Sequence, residues 1–79
     1  MKYFVYILRC RDGSLYTGIA KDLKKRLAMH RAGAGAKYLR GRLPVRVVYQ
    51  EKAASHSAAL KREIKIKRLS RKEKLSITF

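Results

Sequence analysis

Tyr6 and Tyr16 stand ten residues apart, and Arg26 follows after ten more. Tyr6 closes the run Tyr3-Phe4-Val5-Tyr6, and Tyr16 opens Tyr16-Thr17-Gly18. A phenol, with a usual pKa near ~10, is a poor base unless nearby positive charge lowers that value. A guanidinium fits the geometry of phosphate with two parallel hydrogen bonds, as a lysine does not. Glu63 joins this set because it falls inside the apolar arc of a helix. A carboxylate there must be paired, hydrogen-bonded or bound to a cation. Two phenols, a guanidinium and an inward carboxylate suit chemistry at a phosphate group.

Positioning them falls to a short hairpin and two helices. Residues 2–10 are apolar on both alternating faces, as in a central strand covered on both sides. Asp12-Gly13 marks a turn, and Ser14 to Gly18 reads as the returning strand. Asp22 is suited to cap a first helix that runs to about His30. Residues 31–43 are glycine-rich and basic and read as a loop with Tyr38 embedded in it. Pro44 introduces a third strand, VRVVYQE. Ser55 or Ser57 caps a second helix over roughly 58–69, and Ser70 opens a short final one. The order β-β-α-β-α-α predicts an α+β fold, a small three-stranded antiparallel sheet flanked by helices, as one domain over 1–79.

Hairpin register decides whether the two tyrosines can cooperate. A two-residue loop at Asp12-Gly13 sets Arg9 opposite Tyr16 and turns Tyr6 to the other face. A three-residue loop, Arg11-Asp12-Gly13 with Gly13 left-handed, sets Leu8 opposite Tyr16 instead. Tyr6 and Tyr16 then lie diagonally on one face, and this register is the one expected.

On the first helix, Leu23 and Leu27 form the core stripe, with Arg26 and His30 bordering it. Lys24 and Lys25 point elsewhere, as solvated charge. On the second helix the apolar arc is Ala59, Leu60, Ile64 and Ile66, and Lys61, Arg62, Lys65 and Arg68 make the opposite side basic. Glu63 could pair with Lys67 one turn on. The other four acids sit at element ends or turns, which leaves Glu63 as the inward ligand for a divalent cation.

Composition restricts the partner. Twenty-one Lys and Arg against five Asp and Glu give a net charge of +16 on 79 residues. That excess calls for a polyanion, and each phosphate neutralised strengthens binding through counterion release. No helix opposes a basic face to bulky Trp or Phe, so nucleic acid is expected and membrane is not. Cys10, the sole cysteine, can form no intrachain bridge and reads as a small buried strand residue in a cytoplasmic setting.

With Tyr6, Tyr16, Arg26 and Glu63 in this order, the chain resembles a small GIY-YIG nuclease domain, with the motif written Phe4-Val5-Tyr6 and Tyr16-Thr17-Gly18. The likeness spans essentially all 79 residues and is nearest to stand-alone bacterial members. The segment YTGIAKDLKKRL also resembles the nuclease half of the bacterial excision-repair C subunit. The resemblance implies hydrolysis of a nucleic-acid phosphodiester with one Mg²⁺ or Mn²⁺. Tyr6 would be the general base or orient the attacking water, and Tyr16 would contact that water or the scissile phosphate. Arg26 would stabilise the transferring phosphoryl group, Glu63 would hold the metal, and His30 would assist proton transfer. Phe4 replaces the motif's first glycine, and Ile19 stands where the repair enzyme carries a lysine.

The expected substrate is DNA before RNA, chosen by structure more than by sequence, with a repair or recombination complex as a possible partner and a monomer as the expected state. Lys24, Lys25, Lys37, Tyr38, Arg40 and Arg42 are the candidate nucleic-acid contacts, although a tyrosine placed like Tyr38 is more often a packed loop anchor. The alternative function is a binding module that keeps this surface and cleaves poorly.

Overall fold

A computed structural model describes residues 2–78. The chain runs β1 (Tyr3–Cys10), β2 (Leu15–Ala20), α1 (Leu23–Arg31), α2 (Lys37–Arg40), β3 (Val45–Ala53), α3 (His56–Lys67) and α4 (Arg71–Ile77). The three strands form one antiparallel sheet in the order β2-β1-β3, as the apolar pattern of residues 2–10 predicts for a central strand.

Alternation along β1 divides the core in two. Val5 and Ile7 pack with Val48, Ala59 and Ile66 on the face that α3 covers. Tyr6, Leu8 and Cys10 pack with Leu39 and Val45 on the other face, against Leu23 and Leu27 of α1. Fully burying side chains such as Ile66 or Leu39 contributes roughly 1.5–3 kcal/mol each, and both are 1% exposed. Cys10 is buried and free, as expected. Among the described residues, no helix is long and apolar enough to cross a membrane.

The hairpin takes the three-residue loop. Cys10 N–H donates to Ser14 O and Gly13 N–H to Cys10 O, with Gly13 at φ +84. Asp12 accepts from the Ser14 amide and hydroxyl, which stiffens the loop. Leu8 therefore faces Tyr16 and Tyr6 faces Gly18. Asp22 caps α1, Ser55 caps α3, and Ser70 with Glu73 forms a capping box on α4.

The reading of residues 31–43 and of the second helix needs correction. Residues 31–43 are not all loop, because Lys37–Arg40 make one helical turn that buries Leu39. Four residues are too few for periodicity to announce, and tertiary burial of one leucine holds them. The second helix begins at His56 and ends at Lys67. Its buried residues are Ala59 and Ile66, whereas Leu60 and Ile64 are 38% and 49% exposed. Ala59, Glu63 and Ile66 share the stripe toward the sheet, and Leu60 and Ile64 lie one position around from it.

Candidate active site

Tyr6 and Tyr16 meet through the hairpin register, with ring centroids 6.5 Å apart. Gly18 makes the approach possible. A Cβ there would lie 2.7 Å from the Tyr6 hydroxyl and 3.1 Å from the Tyr16 ring, so any side chain would displace both.

From α1, His30 reaches the same place and is 2% exposed. Its Nε2 lies 2.9 Å from the Tyr6 hydroxyl, and its ring meets Tyr16 edge-on at 5.8 Å. The Ala36 amide donates to Nδ1 at 3.2 Å. An Nδ1 that accepts carries no proton, so the neutral imidazole bears its proton on Nε2 and donates it to the Tyr6 oxygen. Gly35 allows this, since a Cβ there would run into the ring at Nδ1. The bend after His30 is thus a shaped cradle. The sequence reading missed Gly35 and Ala36, and the one local sign was a glycine pair close behind a histidine.

The charges around Tyr6 explain its proton affinity. Burial foremost, then Tyr16 and Glu63, push the phenol up to about 12, while Arg26 pulls the other way. Arg26 acts in the expected direction, but burial outweighs it, and the resting phenol is protonated. Tyr16, Arg26 and Glu63 therefore each act electrostatically on this one hydroxyl. Burial and then Arg26 hold His30 below the usual imidazole range, so it is neutral near pH 7.

Glu63 sits in the sheet-facing stripe of α3 with its side chain 17% exposed. Lys67 Nζ is 3.5 Å away, a loose pair from a lysine that is itself more than half exposed. Glu51 corrects the expectation that the other acids lie at element ends or turns, since it is half-buried within β3. It is fully engaged, however. Arg62 donates to it at 2.7, 2.9 and 3.1 Å and Tyr49 at 2.9 Å. Burial raises the Glu51 carboxyl, but those hydrogen bonds prevail and hold it below its ordinary range. Glu63 is the carboxylate left available.

No group of three or more metal-ligating side chains occurs among the described residues. The donor present is the single half-buried carboxylate of Glu63, which suits a cation of the magnesium type, one that takes one or two carboxylates and completes its shell with phosphate and water. Glu63 would hold it.

A family model described as the GIY-YIG catalytic domain matches residues 2–76. The chain belongs to the GIY-YIG family. It is 54% identical over 76 residues to a UPF0213 protein of Staphylococcus saprophyticus, covering 96% of this chain and 93% of that one. Identity to a UPF0213 protein of Staphylococcus aureus is 53% over 75 residues, covering 95% of this chain and 92% of that one. Among solved structures, a UPF0213 protein of Bacillus halodurans is 45% identical with TM-score 0.61, over 96% of this chain and 81% of that one. A protein of E. faecalis is 34% identical with TM-score 0.65, over 96% and 82%.

Within this GIY-YIG domain the remaining candidates separate. Arg26 is exposed and, with Lys25, lines a cleft of about 750 Å³ between α1 and the start of α3. Lys24 is exposed and outside that cleft. A shallower groove of about 290 Å³ takes in Tyr16, Thr17, Tyr38, Lys67 and Lys74. The two depressions follow β2, one at residues 15–17 and the other at 19–20, with Gly18 between them. Lys37, Tyr38 and Arg40 are exposed on α2. Arg42 is occupied within the fold. Its Nη1 donates to Tyr38 O at 2.7 Å, its guanidinium lies 4.0 Å over the Tyr38 ring, and its Nε is 3.2 Å from Asp12. Tyr38 stacks on Tyr16 at 6.0 Å, so it anchors the turn and extends the aromatic array together.

Proposed function

We propose that this GIY-YIG domain hydrolyses nucleic-acid phosphodiester bonds with one Mg²⁺ or Mn²⁺, DNA before RNA, by structure more than by sequence. The supporting observation is the Tyr6 hydroxyl, hydrogen-bonded to His30 and within electrostatic reach of Tyr16, Arg26 and Glu63.

Arg26, exposed at the cleft, grips the scissile phosphate and stabilises charge as it builds on the equatorial oxygens. Tyr16 orients the phosphate or the attacking water. Tyr6 acts as the phenolate, and Nε2–H of His30 donates into its oxygen and stabilises that charge. The phenolate takes a proton from water, the water oxygen bonds phosphorus, and the leaving oxygen departs and is protonated by solvent. A cation held by Glu63 would supply further charge neutralisation at the phosphate and ease ionisation of water. Neutralising Glu63 also removes one of the charges that hold the Tyr6 phenol up. A repair or recombination complex as partner, a monomeric state and a cytoplasmic setting belong to the same reading.

The deciding experiment is cleavage of labelled single-stranded, duplex, flap and nicked DNA and matched RNAs, with Mg²⁺, Mn²⁺ or EDTA, alongside Glu63→Ala. Metal-dependent products that vanish in the variant are expected. The Glu63–Lys67 contact favours a second reading, a binding module with the carboxylate neutralised internally. Shifted bands without products on any substrate would decide for it.

A further inference from the structure

The cleft between α1 and the start of α3 gathers aromatic and basic side chains from β1, the joint between β2 and α1, α1 itself and α3. Tyr3 and His56, far apart in sequence, meet there with ring centroids 5.2 Å apart. Lys21 Nζ lies 5.7 Å over the Tyr3 ring, and Lys25 and Arg26 add two more cations. Met29, 41% exposed, supplies an apolar side. The one acid in the lining, Asp22, is turned to the helix end, where it accepts from the Lys25 amide at 3.0 Å. Of these residues only Arg26 takes part in the proposed phosphodiester chemistry.

The occupant that fits is an anion with a flat ring. Three cations around an aromatic pair match a phosphate joined to a base, and about 750 Å³ lies within the usual range of ligand sites. Arg26 lines this cleft and, in the proposed function, grips the scissile phosphate, so an occupant of the cleft would adjoin that phosphate. We propose that this cleft is a nucleotide subsite: it holds the unpaired nucleotide next to the scissile phosphate, its base on Tyr3 and His56 and its phosphate on Lys21 and Lys25. The proposal rests on the phosphodiesterase reading and deepens it, because a base must leave its duplex to enter. A single strand or a nucleotide at a junction is therefore the preferred substrate.

The test is NMR titration of the protein in EDTA with a single-stranded thymidine trinucleotide, repeated with His56→Ala/Lys21→Ala. Both positions are exposed, so circular dichroism should be unchanged in the variant. Saturable shifts at Tyr3, Ile19, Met29 and His56, weakened about tenfold in the variant, are expected from the loss of one stacking and one phosphate contact. Shifts confined to the groove of Tyr16 and Tyr38 would overturn the subsite and leave the nuclease reading standing. Thymidine 5′-monophosphate should shift the same residues, since every proposed contact is made to one nucleotide, and its failure to do so at saturating concentration would also overturn the subsite. No shifts with any nucleic acid, together with no cleavage products, would remove both proposals.

Discussion

The Tyr6 hydroxyl lies 2.9 Å from His30 Nε2, on a ring whose Nδ1 is already taken by the Ala36 amide. Three parts of the chain therefore set one proton: β1 supplies the phenol, α1 the imidazole, and the cradle before α2 the amide that decides the tautomer. Tyr6→Phe keeps the ring and its packing but strands the Nε2–H in a buried site. A loss of about 1–3 kcal/mol in urea denaturation is expected for such a group. Cleavage should disappear while nucleic-acid binding persists, and cleavage that survives would remove Tyr6 as the base.

A phenol at about 12 leaves little phenolate near pH 7. If Tyr6 acts in that form, the rate under single turnover should climb about tenfold per pH unit below the phenol's pKa. A flat profile would assign Tyr6 to orienting water instead.

Stability should respond at both ends of the pH scale. His30 is held below its unfolded value of about 6.5, so its contribution is complete above that pH and fades as pH falls through the folded pKa. Tyr6 is raised above its unfolded value of about 10, so its contribution is complete below that pH. It is lost as pH rises through about 12. Urea denaturation at a series of pH values should show a plateau between about 6.5 and about 10. Tyr6→Phe should flatten the alkaline fall, which distinguishes it from Tyr49, whose phenol is also raised by burial.

The two half-buried glutamates should answer differently. Glu51→Ala strands Arg62 and Tyr49 and should cost about 1–3 kcal/mol, with the response of cleavage to Mg²⁺ kept. Glu63→Ala loses only a loose lysine contact, so its stability should change little while metal-dependent cleavage is lost. An equal Mg²⁺ response in Glu63→Ala and the parent would remove Glu63 as the ligand.

Gly18→Ala places a methyl where the Tyr6 hydroxyl and the Tyr16 ring lie. Overpacking of about 1–3 kcal/mol is expected by urea denaturation, with cleavage falling further than binding because both phenols are displaced. Unchanged cleavage would mean that the phenols can shift without consequence.

Local chemistry made much of the fold legible. Asp12-Gly13 with Ser14 announces the turn, and the need for Tyr6 and Tyr16 to share a face selects the register that the structure adopts. Asp22 and Ser70 announce helix starts because a cap is satisfied within three residues. The single turn of α2 was not legible, since four residues carry no period and Leu39 gains its burial from distant strands. Glu63 was legible as an inward acid, but the engagement of Glu51 by Arg62 was not, because its partner lies eleven residues on in another element.

Sequence alone determined the residue types, their spacing on short elements and the excess of positive charge, since turns, caps and alternation act over a few residues. Tertiary structure alone decided which proton His30 carries, which carboxylate is held only by a loose lysine contact and how high burial lifts the Tyr6 phenol. It also brought Tyr3 to His56. Each of these depends on desolvation and on contacts between elements, which exist only once the sheet is covered on both faces.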